Sequence, residues 1–158
     1  MPTVLIADDD SDHREMLAIA LRRAGHDVRP AGDAPEALGV LRGGGIDAAL
    51  IDVRMPGENG IELCRRLRGE PGTALLPVML LSADISDRPM LEALHAGADD
   101  YLTKPFHRAE LCARLDNLLL RGPAAATKST RAATAAALAV RHAMRPTAPA
   151  EIAFRRTA

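Results

Sequence analysis

The sequence predicts an α/β domain built on a parallel sheet, and three observations carry that expectation. Short apolar runs, such as Val4 to Ala7 and Ala48 to Ile51, break off at a polar residue or a turn, as strands covered on both faces do. Longer stretches with apolar residues at helical spacing lie between them. Five strand–helix pairs follow one another, so right-handed crossovers bring the strands side by side in one direction.

The first strand is expected at residues 3–7. Asp10 or Ser11 can cap the helix that follows, with Asp12 and Glu15 in its first turn. Met16, Leu17, Ala20 and Leu21 give it an apolar face, and Gly25 stops it. A weaker second strand is expected at 26–30. The second helix, 34–42, is entered through Pro35 and ended by Gly43-Gly44-Gly45. The third strand is expected at 47–52, followed at once by the turn Met55-Pro56-Gly57. Ile61, Leu63, Cys64 and Leu67 mark a third helix over 58–69. After the Pro71-Gly72 loop, Pro77 opens a fourth strand running to Leu81. A fourth helix over 86–96 stops at Gly97, and Asp99 or Asp100 introduces a short fifth strand. The last helix, 107–121, shows Leu111, Leu115, Leu118 and Leu119 as its stripe.

Open α/β sheets place ligands at the carboxyl ends of their strands. Here those ends carry Asp8, Asp9 and Asp10, then Asp52, then Ser82, then Thr103-Lys104-Pro105. Parallel strands would gather carboxylates, a hydroxyl and one ammonium on a single edge.

The set Asp8-Asp9, Asp52 with Met55-Pro56 and Gly60, Ser82-Ala83, and Tyr101-Leu102-Thr103-Lys104-Pro105-Phe106 resembles the receiver domain of two-component response regulators. Five separated elements agree in order and distance, and the resemblance covers residues 1–121. It implies a flavodoxin-like (βα)5 sheet in the order 2-1-3-4-5. It implies Asp52 as phosphoacceptor, served by a sensor histidine kinase, a phosphotransfer protein or a small phosphodonor. Asp9 and Asp52 would bind a divalent ion directly, Asp8 mainly through water, and Arg54 through its backbone carbonyl. Clustered carboxylates repel unless a cation neutralises them, and Mg2+ (or Mn2+) suits oxygen ligands.

Lys104 would be the second cation. Only Lys104 and Lys128 are lysines among the 20 basic residues, consistent with a site that needs a compact ammonium. Pro105 matches the proline after which a cis Lys-Pro bond is expected. Ser82 would bond the phosphoryl group, with the Ala83 backbone N–H beside it, and Tyr101 would swing inward as Ser82 moves. That switch would alter the surface of the fourth helix, fifth strand and fifth helix, recruiting a downstream protein or forming a phosphorylation-dependent dimer from a monomer. Arg54 and Asp84 would flank the water path, and their opposite charges suggest a lid that slows loss of the phosphoryl group.

Composition sets the other bounds. Aromatics are only Tyr101, Phe106 and Phe154, so the core must be aliphatic. Residues 1–121 carry 14 basic and 20 acidic side chains, whereas 122–158 carry six basic and one acidic. No apolar run reaches a membrane span and no signal peptide is visible, so a cytoplasmic protein without membrane insertion is expected. Cys64 and Cys112 read as reduced, part-buried hydrophobes. His13 lies in the first turn after the acidic cluster, within reach of the site, but a solvated helix face is the favoured reading; His26, His95, His107 and His142 show no metal-site pairing.

The segment 122–158 reads as a second region, Ala-rich and basic, mostly disordered or transiently helical near 130–144. It is too short for a usual output domain, so a receiver without one is expected, and nucleic-acid contact is not expected. Two alternatives follow from other classes. One is a regulator whose basic tail touches nucleic acid. The other is a Mg2+-dependent phosphatase with Asp52 as nucleophile, although such enzymes carry an acid two residues later, where this chain has Arg54. The expected protein is a signalling module and not a turnover enzyme.

Overall fold

The computed structural model describes residues 1–84 and 87–121. The basic tail, with Lys128, His142 and the helix expected near 130–144, lies outside the described residues, as does Ser86. Five strands alternate with five helices: β1 (Thr3–Ala7), α1 (Ser11–Arg23), β2 (Asp27–Ala31), α2 (Ala34–Arg42), β3 (Ala48–Asp52), α3 (Gly60–Gly69), β4 (Val78–Ser82), α4 (Asp87–His95), β5 (Asp100–Thr103) and α5 (Arg108–Arg121). All strand pairs are parallel, and the order is β2-β1-β3-β4-β5, as expected from the resemblance.

Most ends fall within two residues of expectation, and caps explain the differences. Asp10, not Ser11, caps α1, its carboxylate accepting from the Asp12 and His13 N–H groups. Asn59 caps α3 in a reciprocal box with Glu62, so that helix starts at Gly60 instead of residue 58. β2 begins at Asp27, after a buried His26 whose Nε2 lies 3.3 Å from Asp116 on α5.

The aliphatic core divides by strand periodicity. Val4, Ile6, Ala48, Leu50, Met79 and Leu81 face α1 and α5, where they meet Leu17, Leu21, Leu111 and Leu115. Their neighbours Leu5, Ala49, Ile51 and Leu80 face the other way, onto Leu38, Leu63, Leu67 and Ala93 of α2, α3 and α4. Cys64 is buried and donates to the Ala96 carbonyl at 3.7 Å, Cys112 is part-buried, and no disulfide joins them.

Two arginines tie the sheet to its helices. Arg68 of α3 spans to the start of β4 and the α4–β5 loop, donating to the Leu76 and Gly97 carbonyls and to Asp99. Arg114 of α5 holds Asp100 of β5 at 2.8 Å and Glu110 of its own helix at 3.1 Å. Among the described residues, no helix is long and apolar enough to cross a membrane.

Candidate functional site at the carboxyl edge of the sheet

The strand order reverses direction of growth beside β1, and the crevice at the ends of β1 and β3 is where such sheets place a site. Asp8 follows β1 directly; its N–H donates to the Ala31 carbonyl of β2 at 3.0 Å, which fixes the turn. Asp52 is the last residue of β3. Both carboxylates are buried, at 1% and 5% exposure. Buried anions require partners. Asp52 accepts the Arg54 N–H at 2.8 Å on Oδ1 and pairs with the Lys104 ammonium through Oδ2.

Lys104 reaches Asp52 from the end of β5. Its N–H donates to the Ser82 carbonyl at 2.7 Å, and the Lys104-Pro105 bond is cis, as expected. Ser82 ends β4 and is buried, its Oγ accepting the Asp84 N–H at 3.0 Å. Tyr101 is also buried, and its hydroxyl donates to the Asp84 carbonyl at 3.4 Å. Burial pushes its phenol above the ordinary range; the Ser82 hydroxyl acts the other way, and the Asp84 carboxylate adds a smaller push upward.

Tyr101 is the sole tyrosine in a chain without tryptophan, so its ionisation can be followed directly by absorbance. The folded phenol ionises later than the unfolded one. Its contribution to stability is therefore complete below the ordinary phenol value of 10.0 and declines as pH rises through the folded pKa. A difference-absorbance titration should place the native transition above that of the urea-unfolded chain. Coincident curves would mean that Tyr101 is outside the protein in solution.

His13 corrects the sequence reading. It was expected on a solvated helix face, but its Nδ1 contacts Asp8 Oδ2 and its side chain is only 18% exposed. The first turn of α1 folds back over the acidic pair, so position i+5 from Asp8 returns to it. Phe106 packs on the imidazole edge, with ring centroids 6.4 Å apart at 65°. Arg14, the next residue, donates from Nη1 to the Asp8 carbonyl at 2.6 Å. The signal available in the sequence was the position of His13 just past the cap, facing the loop that the helix grows from.

Asp8, His13 and Asp52 offer ligand atoms within 4.8 Å of one another. Asp9 is exposed beside them and does not belong to that group. Arg54 and Asp84 are both exposed, and no ion pair joins them among the described residues. Pairing two solvated side chains gains little, so a lid made by Arg54 and Asp84 would act on the phosphoryl group's lifetime and not on stability. Ala83 is exposed on the loop after β4.

The response regulator receiver domain model matches residues 4–116. The chain belongs to the response regulator receiver family. The phosphate regulon transcriptional regulatory protein PhoB of Pseudomonas aeruginosa is 42% identical over 122 residues, covering 77% of this chain and 53% of that protein. The DNA-binding response regulator MtrA of Mycobacterium tuberculosis is 41% identical over 118 residues, covering 75% and 50%. This receiver thus spans about half the length of the curated relatives it matches. Among solved structures, a Francisella response regulator receiver domain is 38% identical with a TM-score of 0.71, covering 77% of this chain and 98% of that one. The Vibrio cholerae chemotaxis protein CheY4 is 30% identical with a TM-score of 0.71, covering 75% and 98%. Receiver domains are signalling modules of two-component systems, which take their signal from histidine kinases.

Proposed function

We propose that this receiver accepts a phosphoryl group on Asp52 and passes the event to the α4–β5–α5 surface. The observation that carries the reading is the buried Asp52 carboxylate, oriented by the Arg54 N–H and paired with the Lys104 ammonium. An Asp52 oxygen attacks the phosphorus of a phosphohistidine or small acyl phosphate. The new O–P bond forms as the donor's N–P or O–P bond breaks, and a histidine leaving group takes up a proton. Lys104 lies where it can balance charge on the phosphoryl oxygens, and the Ser82 hydroxyl and Ala83 N–H are the proposed donors to one of them.

The donor set suits a hard dication. Asp8 and Asp52 are buried anions, and Lys104 balances only one of them. Asp8 already accepts the Asp10 N–H and contacts His13, so exposed Asp9, Asp52 and the Arg54 carbonyl are the proposed direct ligands of Mg2+, with Asp8 acting through water. Mg2+ bound there would neutralise carboxylate charge and polarise the phosphoryl group.

The route outward is short. Ser82 precedes the loop whose Asp84 carbonyl receives the Tyr101 hydroxyl, and Arg114 binds the preceding residue of β5, Asp100, to α5. A shift of Ser82 toward a phosphoryl oxygen would disturb the Tyr101 contact and, with it, the β5–α5 face. A downstream protein or a second copy would read that face. Turnover of a phosphate ester is outside this reading, because Arg54 occupies the position where the phosphatase alternative needs an acid.

PhoB is named a transcriptional regulator and MtrA a DNA-binding one. A protein containing this receiver that contacts DNA is therefore a second reading, and phosphorylation-dependent retention on a DNA column would support it.

The main reading is tested on the full chain with a small phosphodonor and Mg2+, followed by intact mass measurement. One added phosphoryl group is expected in the native chain and none in Asp52→Asn, with slower labelling of Lys104→Ala because the cation beside Asp52 is lost. Equal labelling of the native chain and Asp52→Asn would remove Asp52 from the role.

A further inference from the structure

We propose that His13 makes the acidic pocket selective for first-row transition-metal dications, with Mn2+ and Co2+ favoured over Mg2+ beyond what an all-oxygen site allows. Carboxylates and carbonyls account for oxygen ligation, and nothing in that set needs a nitrogen. Yet an imidazole nitrogen lies in the pocket, against Asp8 and within 4.8 Å of the ligand atoms of both Asp8 and Asp52. Ligand atoms on opposite sides of such a metal stand about 4 Å apart, so one cation can span this group with little rearrangement.

The imidazole is also held in place. Its neighbour Arg14 is anchored on the Asp8 carbonyl, the capping turn of Asp10 fixes the backbone of His13, and the Phe106 ring meets its edge. A ligand whose direction is set by packing loses little freedom on binding. Nδ1 faces Asp8; with a dication bound, the proton of that contact would pass to Nε2 or to solvent, and the freed Nδ1 lone pair would ligate the metal. Imidazole binds Co2+ and Zn2+ readily, Mn2+ more weakly and Mg2+ poorly, because Mg2+ prefers oxygen and keeps its waters. His13 therefore adds affinity for one class of ion and almost none for the other.

The inference rests on reading the pocket as a dication site, and the test separates the two. Mg2+, Mn2+ and Co2+ are titrated separately into the full chain by calorimetry, without phosphodonor, for the native protein and for His13→Gln. The substitution should weaken Co2+ binding about 10–100-fold and Mn2+ binding by a smaller factor, following the Irving–Williams order. Mg2+ binding should stay within about threefold, since its oxygen ligands remain. Pulsed electron paramagnetic resonance of the Mn2+ complex gives a readout independent of folding of the variant. Nitrogen coupling from a directly bound imidazole is expected in the native chain. Binding of all three ions with no nitrogen coupling, or an equal loss for all three in His13→Gln, would overturn the role of His13 and leave the dication site standing. Failure of every ion to bind the native chain would overturn both.

Discussion

Arg68→Met is expected to lower the unfolding free energy by about 3–5 kcal/mol, the usual cost of removing one partner from a buried charged cluster. Arg68 is 10% exposed and Asp99 13%. The guanidinium bonds Asp99 at 2.8 Å, the Gly97 carbonyl at 2.9 Å and the Leu76 carbonyl at 2.6 Å. Asp99 in turn accepts the Val78 N–H at 2.9 Å, so one arginine closes the entry to β4 and the entry to β5 together. Methionine keeps the apolar stem but leaves these acceptors in a poorly solvated place. Urea unfolding provides the measurement. The double change with Asp99→Asn should cost less than the two single changes combined, because the second removal no longer strands a charge. A loss below about 1 kcal/mol for Arg68→Met would mean that the cluster is solvated and marginal.

Gly60→Ala tests how α3 supports the acceptor. In an exposed helix interior alanine outranks glycine by about 1 kcal/mol, so propensity favours the substitution. The structure reverses the sign. A Cβ at Gly60 would stand 2.3 Å from the Asp52 carbonyl oxygen, 2.9 Å from its carbon and 3.0 Å from Ile51 Cγ2. The Gly60 N–H also donates to the Val53 carbonyl at 2.9 Å, holding the helix start against the end of β3. Relief requires moving the backbone that carries Asp52. Destabilisation of about 1–3 kcal/mol is expected. A shift of about 1 Å in the acceptor is enough to slow phosphoryl incorporation on the order of 100-fold. Gly39→Ala is the control: that glycine lies in α2 with nothing within 4 Å of its added Cβ, and it should be neutral or stabilising. Equal effects at the two glycines would contradict the close approach of α3 to Asp52.

The parts of the fold legible in the sequence are those with a local physical signature. β1, β3 and β4 are short apolar runs buried almost completely, and their ends deliver Asp8, Asp52 and Ser82 to one edge, as the runs imply. Lys104 was legible through its motif and its rarity in an arginine-rich chain. Strand and helix ends were less so, because the choice between Asp10 and Ser11, or between residue 58 and Gly60, depends on which side chain closes a cap. His13 was misread because periodicity assigns a face relative to the core, whereas the fold back onto Asp8 depends on the capping turn. Arg68 was silent for the same kind of reason: its partners stand 29 and 31 residues away and no pattern links them. The Arg54–Asp84 lid is an inference from opposite charges on neighbouring loops, and the pairing of two exposed side chains is set by energies of about 0–1 kcal/mol that no sequence pattern carries.

The central claim is that Asp52 carries the signal, and trapping the acyl phosphate in the native chain tests it most directly. The chain is phosphorylated by a small phosphodonor with Mg2+, reduced with borohydride, digested and sequenced by tandem mass spectrometry. Reduction converts an aspartyl phosphate to homoserine, and the account places that residue at position 52 alone. Homoserine at position 8 or 9, phosphate on His13, or no modified residue under conditions that label another receiver would contradict it.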